Sequence, residues 1–328
     1  MSEQFQYRGS KVKCVDDKKR FLILSIDGGG IRGVFPAHML YCMKHRLGIN
    51  IEEHFDMIAG TSTGSIVAAA VACKIDPGKV VAMYKEHGPK IFSRKKSWLP
   101  QKVAKYQPVL ENLYENEALK TALVETFGEV RLGEIPIPLL MPATDIGNGG
   151  VHVFKSAYQK DYDRDGNVLL HQAVLASCSA PTYFNPTKVD EYLLADGGLW
   201  ANNPSLAAVI DAKRRLNVEL SDIRILSLGT GHAKTCYGVN ADRNWGLLNG
   251  WKGKEFISFM MSLQAQTTHN YLQLMLQEDQ ILRLDFDSDC PLPLDDCSAI
   301  GDLISNADRM FTHNSPKLKR FLSVAQGE

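Results

Sequence analysis

Residues 60–73 read GTSTGSIVAAAVAC, a serine set between two glycines and followed at once by small apolar residues. The preceding FDMIAG (55–60) has the character of a short buried strand, and 62–74 has helical spacing. Gly60-x-Ser62-x-Gly64 therefore falls at a strand–turn–helix junction. Flanking glycines let the backbone turn sharply there and keep side chains clear of an exposed hydroxyl, as an activated serine nucleophile requires. Ala68, Ala69, Ala70 and Ala72 allow the helix to lie close beneath a sheet. A Ser/Thr cap on a buried helix would explain the hydroxyls but needs neither glycine. Ser62 is read as a nucleophile.

Working outward, short β-branched runs ending in glycine or polar turns recur at 21–26, 138–146, 151–156, 192–198 and 223–231. Segments with helical apolar spacing lie between them, at 34–47, 77–88, 117–127, 168–177 and 203–216. Near-continuous apolar strands alternating with helices predict an α/β fold, a mostly parallel central sheet flanked by helices. A long helix is expected over 254–277, with Phe256, Phe259, Met260, Leu263, Tyr271 and Leu274 on one face, and two shorter helices after Ile300 and Pro316. Residues 1–20 read as a polar N-terminal extension. Residues 21–328 read as one domain, with a helical and loop embellishment from about 232.

Two further motifs stand at predicted strand ends. SIDGGGIRG (25–33) offers unshielded backbone N–H groups at a helix start, where developing negative charge is favoured. Its Gly28-x-Gly30-x-x-Gly33 spacing, with Glu52 or Glu53 about 20 residues on, equally fits a dinucleotide fingerprint. In LLADGGLWANNP (193–204), Asp196 is either a turn residue or the general base for Ser62. All three motifs are expected at the carboxyl ends of parallel strands, where open α/β sheets bind ligands.

Composition narrows the classes. Lys+Arg and Asp+Glu both total 37 in the 328 residues, so no global field recruits nucleic acid, and neither DNA nor RNA is expected as a partner. Seven scattered cysteines lack metal-type or redox spacing and read as reduced thiols of a cytoplasmic protein; no metal is expected. The N-terminus has no apolar signal core, and the uncharged stretch around Ser62 is too broken to span a membrane. Between His87 and Leu110 there is no acidic residue, and Lys95, Lys96 and Trp98 are candidates for contact with an anionic lipid surface. Arg243, Trp245 and Lys252 could stack on bases and pair with phosphates of a nucleotide.

DGGGIRG, GTSTG and DGG, in this order and spacing, together resemble the patatin-like phospholipase family. SCSAPTYFNP (177–186) is similar to its Ser-x-Ser-x-x-Pro segment and ILSLGTG (225–231) to its later strand, so the match runs from Phe21 to His232. The resemblance implies a patatin-like α/β/α sandwich and a lipid acyl hydrolase of phospholipase A type, without cofactor. It also implies a Ser–Asp dyad of Ser62 and Asp196, with Gly28, Gly29 and Gly30 as oxyanion hole and Arg32 supporting that loop. Ser65 departs from the family, many members of which carry glycine there. Relatives include bacterial anti-phage effectors switched on by cyclic oligonucleotides. Membrane phospholipid as substrate, peripheral membrane association, a cyclic dinucleotide activator and homo-oligomerisation are thus expectations. The alternatives are a Rossmann-type NAD-dependent oxidoreductase, a catalytically silent nucleotide- or lipid-binding module, and, within the hydrolases, a triad completed by His232.

Overall fold

The computed structural model describes residues 20–94, 112–162, 164–233 and 254–326. Lys95, Lys96, Trp98, Arg243, Trp245 and Lys252 lie outside them. In chain order the main elements begin with β1 (Phe21–Ile26), α1 (Val34–Leu47), β2 (Met57–Gly60), α2 (Thr63–Ala72), α3 (Pro77–Ile91), α4 (Asn116–Phe127), β3 (Leu139–Asp145) and β4 (Gly150–Lys155). They continue with α5 (Leu170–Ser177), β5 (Thr187–Val189), β6 (Tyr192–Asp196), α6 (Ser205–Arg215), β7 (Ile223–Leu228), α7 (Lys254–Met275), β8 (Ile281–Leu284) and α8 (Ile300–Gln326).

The eight strands form one sheet in the order β5-β6-β3-β2-β1-β7-β8, with β4 paired to β3 beside this path. Pairings among β3, β2, β1, β7 and β8 are parallel. Alternation along β1 divides its side chains between two cores. Leu22, Leu24 and Ile26 join the larger cluster with residues of α1, α2, α3 and α5. Ile23 joins Met57, Ala59 and Leu140 under Ala208, Val209 and Ala212 of α6 and Leu272 of α7. Helices thus cover both faces, as the near-continuous apolar strands require. Ser25, buried on the second face, is not an unsatisfied hydroxyl. It accepts from Ser205 Oγ at 2.8 Å, beside Ser227, its register partner on β7.

Four expectations need correction. β6 is antiparallel to β3, so Asp196 does not end a parallel strand. β8 is a strand that the sequence reading missed, because an arginine interrupts ILRL and hides its apolar alternation. The buried stripe of α7 is Met261, Ala265, Thr268 and Leu272, continued by Leu276 just past its end, one position round from the expected face. Met260, Leu263, Tyr271 and Leu274 of that face are exposed, because the smaller stripe seats closely. Met261 Cε would lie 2.9 Å from a Cβ at Gly198. Finally, α8 runs unbroken through Pro316, which packing of Leu318 and Leu322 into the main core enforces.

Among the described cysteines, Cys42 and Cys178 are buried and Cys290 is exposed. His38, Cys42 and Asp308 cluster tightly enough for a metal. Arg46 lies 2.7 Å from Asp308 Oδ1 and supplies a cation to that carboxylate, a half-exposed ion pair between α1 and α8.

Pro316 predicts a measurable effect. Proline inside a helix costs about 3 kcal/mol relative to alanine, offset by roughly 1 kcal/mol from a stiffer unfolded chain. Pro316→Ala should therefore raise unfolding stability by about 2 kcal/mol in urea titrations; an unchanged or lower midpoint contradicts this account.

Candidate active site

β2 and β6 approach each other head to head along one edge of β3. Ile58 and Ala59 of β2 pair with Leu139 and Leu140, while Asp196 of β6 pairs with Ala143. Met141 and Pro142 lie in the break between them. Proline has no N–H to leave unpaired there, and its carbonyl accepts the Ser177 hydroxyl at 2.6 Å. Ser177 Oγ in turn accepts the Ser62 N–H at 3.0 Å, fixing the elbow over the gap.

The elbow is as sharp as the glycines suggest. Ser62 has φ 53° and ψ −128°, a conformation normally left to glycine. A Cβ on Gly60 would lie 2.2 Å from the Gly64 carbonyl oxygen, and one on Gly64 2.3 Å from that of Ile26. Neither position admits a side chain. The Ser65 hydroxyl, at the departure from the family pattern, donates to the Ser62 carbonyl at 2.6 Å and so holds the first turn of α2.

Ser62 Oγ donates to Asp196 Oδ2 at 2.6 Å, and both residues are buried. Asp196 Oδ1 accepts the Gly198 N–H at 2.6 Å. Burial pushes the Asp196 carboxyl up to about 7, although the bonds from Ser62 and Gly198 pull the other way. A carboxylate tuned near neutrality is suited to exchange a proton with a hydroxyl.

The glycine loop faces the same point. The Gly28 N–H is taken by the Asn202 carbonyl at 3.0 Å, so Gly28 anchors the loop, which corrects its expected place among the free donors. The Gly28 carbonyl accepts from Thr230 Oγ1 at 2.8 Å, and the Gly29 carbonyl from Arg32 Nε at 3.1 Å. In a trans peptide the N–H points opposite to the carbonyl. Holding these two carbonyls therefore aims the N–H groups of Gly29 and Gly30 the other way, and no hydrogen bond among the described residues uses them. Arg32 is buried and, among the described residues, donates to the carbonyls of Gly29 and Gly231. Burial lowers its guanidinium to about 10.

An apolar cleft opens on these groups. Gly30, Ser62 and Asp196 line it together with Ile66, Leu119 and Phe184. His232 does not reach the dyad; its ring lies 2.9 Å from Asp287 and 3.6 Å from Asp285. The dinucleotide reading also fails on geometry. The Ile31 N–H is covered by the Leu294 carbonyl at 2.8 Å, and Glu52 is paired with Lys44. Sequence reasoning gave Ser177, Asn202 and Thr230 no role of their own, although they lie in the SCSAPTYFNP, LLADGGLWANNP and ILSLGTG segments, and it missed Arg283 and Asp285. Arg283 left a signal outside those segments, a charge in the middle of an apolar run.

The strain at Ser62 yields a comparison. Ser62→Ala and Ser62→Gly remove the same hydroxyl, but only glycine relaxes in this conformation. Ser62→Gly should be more stable than Ser62→Ala by roughly 1 kcal/mol in urea unfolding, after glycine's greater unfolded-state entropy. The reverse order contradicts a strained elbow.

The family model for patatin-like phospholipase matches residues 24–209, a span that carries the glycine loop, the elbow and Asp196. Among curated proteins, the cGAMP-activated phospholipase of Pseudomonas aeruginosa is 29% identical over 256 residues, covering 77% of this chain and 75% of that protein. Patatin-like protein 4 of Arabidopsis thaliana is 30% identical over 309 residues, covering 81% and 76%. The cGAMP-activated phospholipase of Vibrio cholerae is 26% identical over 332 residues, covering 92% and 93%. With more than half its length under the family model, and its three motifs gathered at one cleft, this chain belongs to the patatin-like phospholipases.

Proposed function

We propose that the protein is a phospholipase A-type acyl hydrolase working through a Ser62–Asp196 dyad. The observation that carries this reading is the 2.6 Å hydrogen bond between the two side chains at the wall of an apolar cleft. Asp196 accepts the Ser62 proton as Oγ attacks the ester carbonyl, and the N–H groups of Gly29 and Gly30 hold the oxyanion. Asp196 then returns the proton to the departing alcohol oxygen, leaving an acyl-enzyme. Water, deprotonated by Asp196, attacks that ester, and collapse regenerates Ser62 and releases the fatty acid. The apolar cleft suits the acyl chain and keeps bulk water from the carboxylate.

Two finer readings rest on the names of relatives and on sequence. The bacterial relatives named as cGAMP-activated support a cyclic dinucleotide as activator. Arg243, Trp245 and Lys252 are the candidate contacts, with oligomerisation completing the switch. Lys95, Lys96 and Trp98 are the candidates for peripheral contact with an anionic membrane. No helix among the described residues is long and apolar enough to cross one.

On phospholipid vesicles and on a soluble ester, Ser62→Ala and Asp196→Ala should each abolish turnover, with the double variant little worse, because the pair acts as a unit. His232→Ala should keep substantial activity; a variant as inactive as Ser62→Ala would restore the triad. Adding a cyclic dinucleotide should raise vesicle hydrolysis together with sedimentation coefficient, and full ligand-free activity unchanged by any such nucleotide removes the activation reading.

The pH dependence has a definite sign. Only ionised Asp196 is a base, so kcat/KM should rise about tenfold per pH unit and level off near 7. The folded carboxyl titrates above its unfolded value of 3.8, so its contribution to stability is full below pH 3.8 and lost as pH rises through about 7. Asp196→Asn should therefore be inactive yet, at pH 8, melt at or above the wild-type temperature. A clear fall in melting temperature would contradict the burial cost.

A further inference from the structure

Behind the glycine loop lies a buried ionic assembly that reaches beyond the three motifs. Arg283, on β8, places Nη2 2.6 Å and Nη1 3.3 Å from the two oxygens of Asp27, the residue that opens the loop. The same Nη2 lies 2.6 Å from Asp285 Oδ2, and Nη1 donates to Ser227 Oγ at 2.8 Å. Asp285 Oδ1 accepts the Gly231 N–H at 2.9 Å, and the Gly231 carbonyl accepts from Arg32 Nη1 at 2.9 Å. Arg32 Nε then holds the Gly29 carbonyl. A continuous chain thus runs from β8 to the peptide whose N–H belongs to Gly30.

Sterics leave this chain little play. A Cβ on Gly229 would lie 2.1 Å from the Asp285 carboxyl carbon, and one on Gly29 2.2 Å from Thr230 Oγ1. The 229–231 turn is therefore pressed between Asp285 and the glycine loop. Arg283 is the shared partner of the carboxylates on either side, Asp27 and Asp285, and charge-assisted bonds of this kind fix geometry more firmly than neutral ones. A hydrophobic strand residue at 283 would leave Asp27 buried without its cation and Asp285 with the His232 ring at 3.6 Å in place of the guanidinium.

Building on the dyad reading, we propose that Arg283 is a positioning residue for the oxyanion site. It braces the loop at Asp27 directly and at Gly29 through Asp285, Gly231 and Arg32, without touching the substrate. A brace of this kind acts when charge develops on the carbonyl oxygen, so it affects the transition state more than ground-state binding.

The test compares wild type, Ser62→Ala, Arg283→Met and Arg283→Lys on a soluble short-chain ester. A trifluoromethyl ketone with an acyl tail, which forms a tetrahedral adduct on the serine, and a free fatty acid, which does not, serve as inhibitors. Displacing an oxyanion donor by about an ångström can cost on the order of a hundredfold. Arg283→Met should lower kcat by about that factor, with KM within about twofold. Ketone affinity should fall in parallel and fatty-acid affinity stay constant. Arg283→Lys, which keeps a cation but not the fork, should retain more activity, at about a tenfold loss.

Wild-type kcat and ketone affinity in folded Arg283→Lys overturn the proposal, whether or not Arg283→Met folds. A common decline of turnover, fatty-acid affinity and melting temperature also overturns it, since that is general loosening. An inactive wild type, or an active Ser62→Ala, defeats the dyad reading itself. Active wild type, inactive Ser62→Ala and unaffected Arg283 variants defeat the brace alone.

Discussion

Two strands running towards each other along one edge of β3 cannot both continue, and the break between them determines the site. A gap in a ladder deep in a sheet would ordinarily strand polar backbone groups. Here Pro142 has no N–H to strand, and Ser177 joins its carbonyl to the N–H of Ser62. The gap is thus closed by one hydroxyl, and the residues at the two strand ends are forced together. Burial of Asp196 follows from that position, and its carboxyl near 7 follows from burial. The proximity of the two side chains and the basicity of the carboxylate have a single structural origin.

Much of this was legible in the chain. Gly60 and Gly64 each meet backbone oxygen within 2.3 Å of a would-be Cβ, so their spacing about Ser62 was a steric requirement that sequence displays directly. The strands of β1 and β7 were equally plain, since burial on both faces leaves an apolar run. What stayed hidden depended on pairing at a distance. The reversed direction of β6 is set by its partner β3, 50 residues away and invisible to local pattern. In α7, two apolar stripes competed, and the larger side chains suggested the wrong one; close packing against Gly198 favours the smaller. β8 went unread because its arginine serves a buried carboxylate pair, the case in which hydropathy misleads.

The fold divides the labour between its two parts. Ser62 and Asp196 come from the region matched by the family model, whereas Thr230, Gly231, Arg283 and Asp285 come from beyond it. The Ser62–Asp196 pair is held by hydrogen bonds from main-chain and hydroxyl groups around β3. The loop beside it is held by charges around β7 and β8. Asp27, pushed up by burial to about 6 even with Arg283 alongside, shows how much desolvation that second arrangement tolerates.

The planar peptide gives the glycine loop a further property. The donors proposed for the oxyanion belong to the main chain, so they are identical whichever residues carry them, and their own positions admit no variation. A Cβ at 28, 29 or 30 would strike Asn202, Thr230 or the Leu294 carbonyl. The strength of such a site therefore cannot be adjusted by substitution within it. Adjustment is confined to the groups that grip the carbonyls from the rear, as the angle of a mirror is set by the screws behind it. On the proposed mechanism, variation that matters for rate belongs to the layer of β7 and β8 behind the loop.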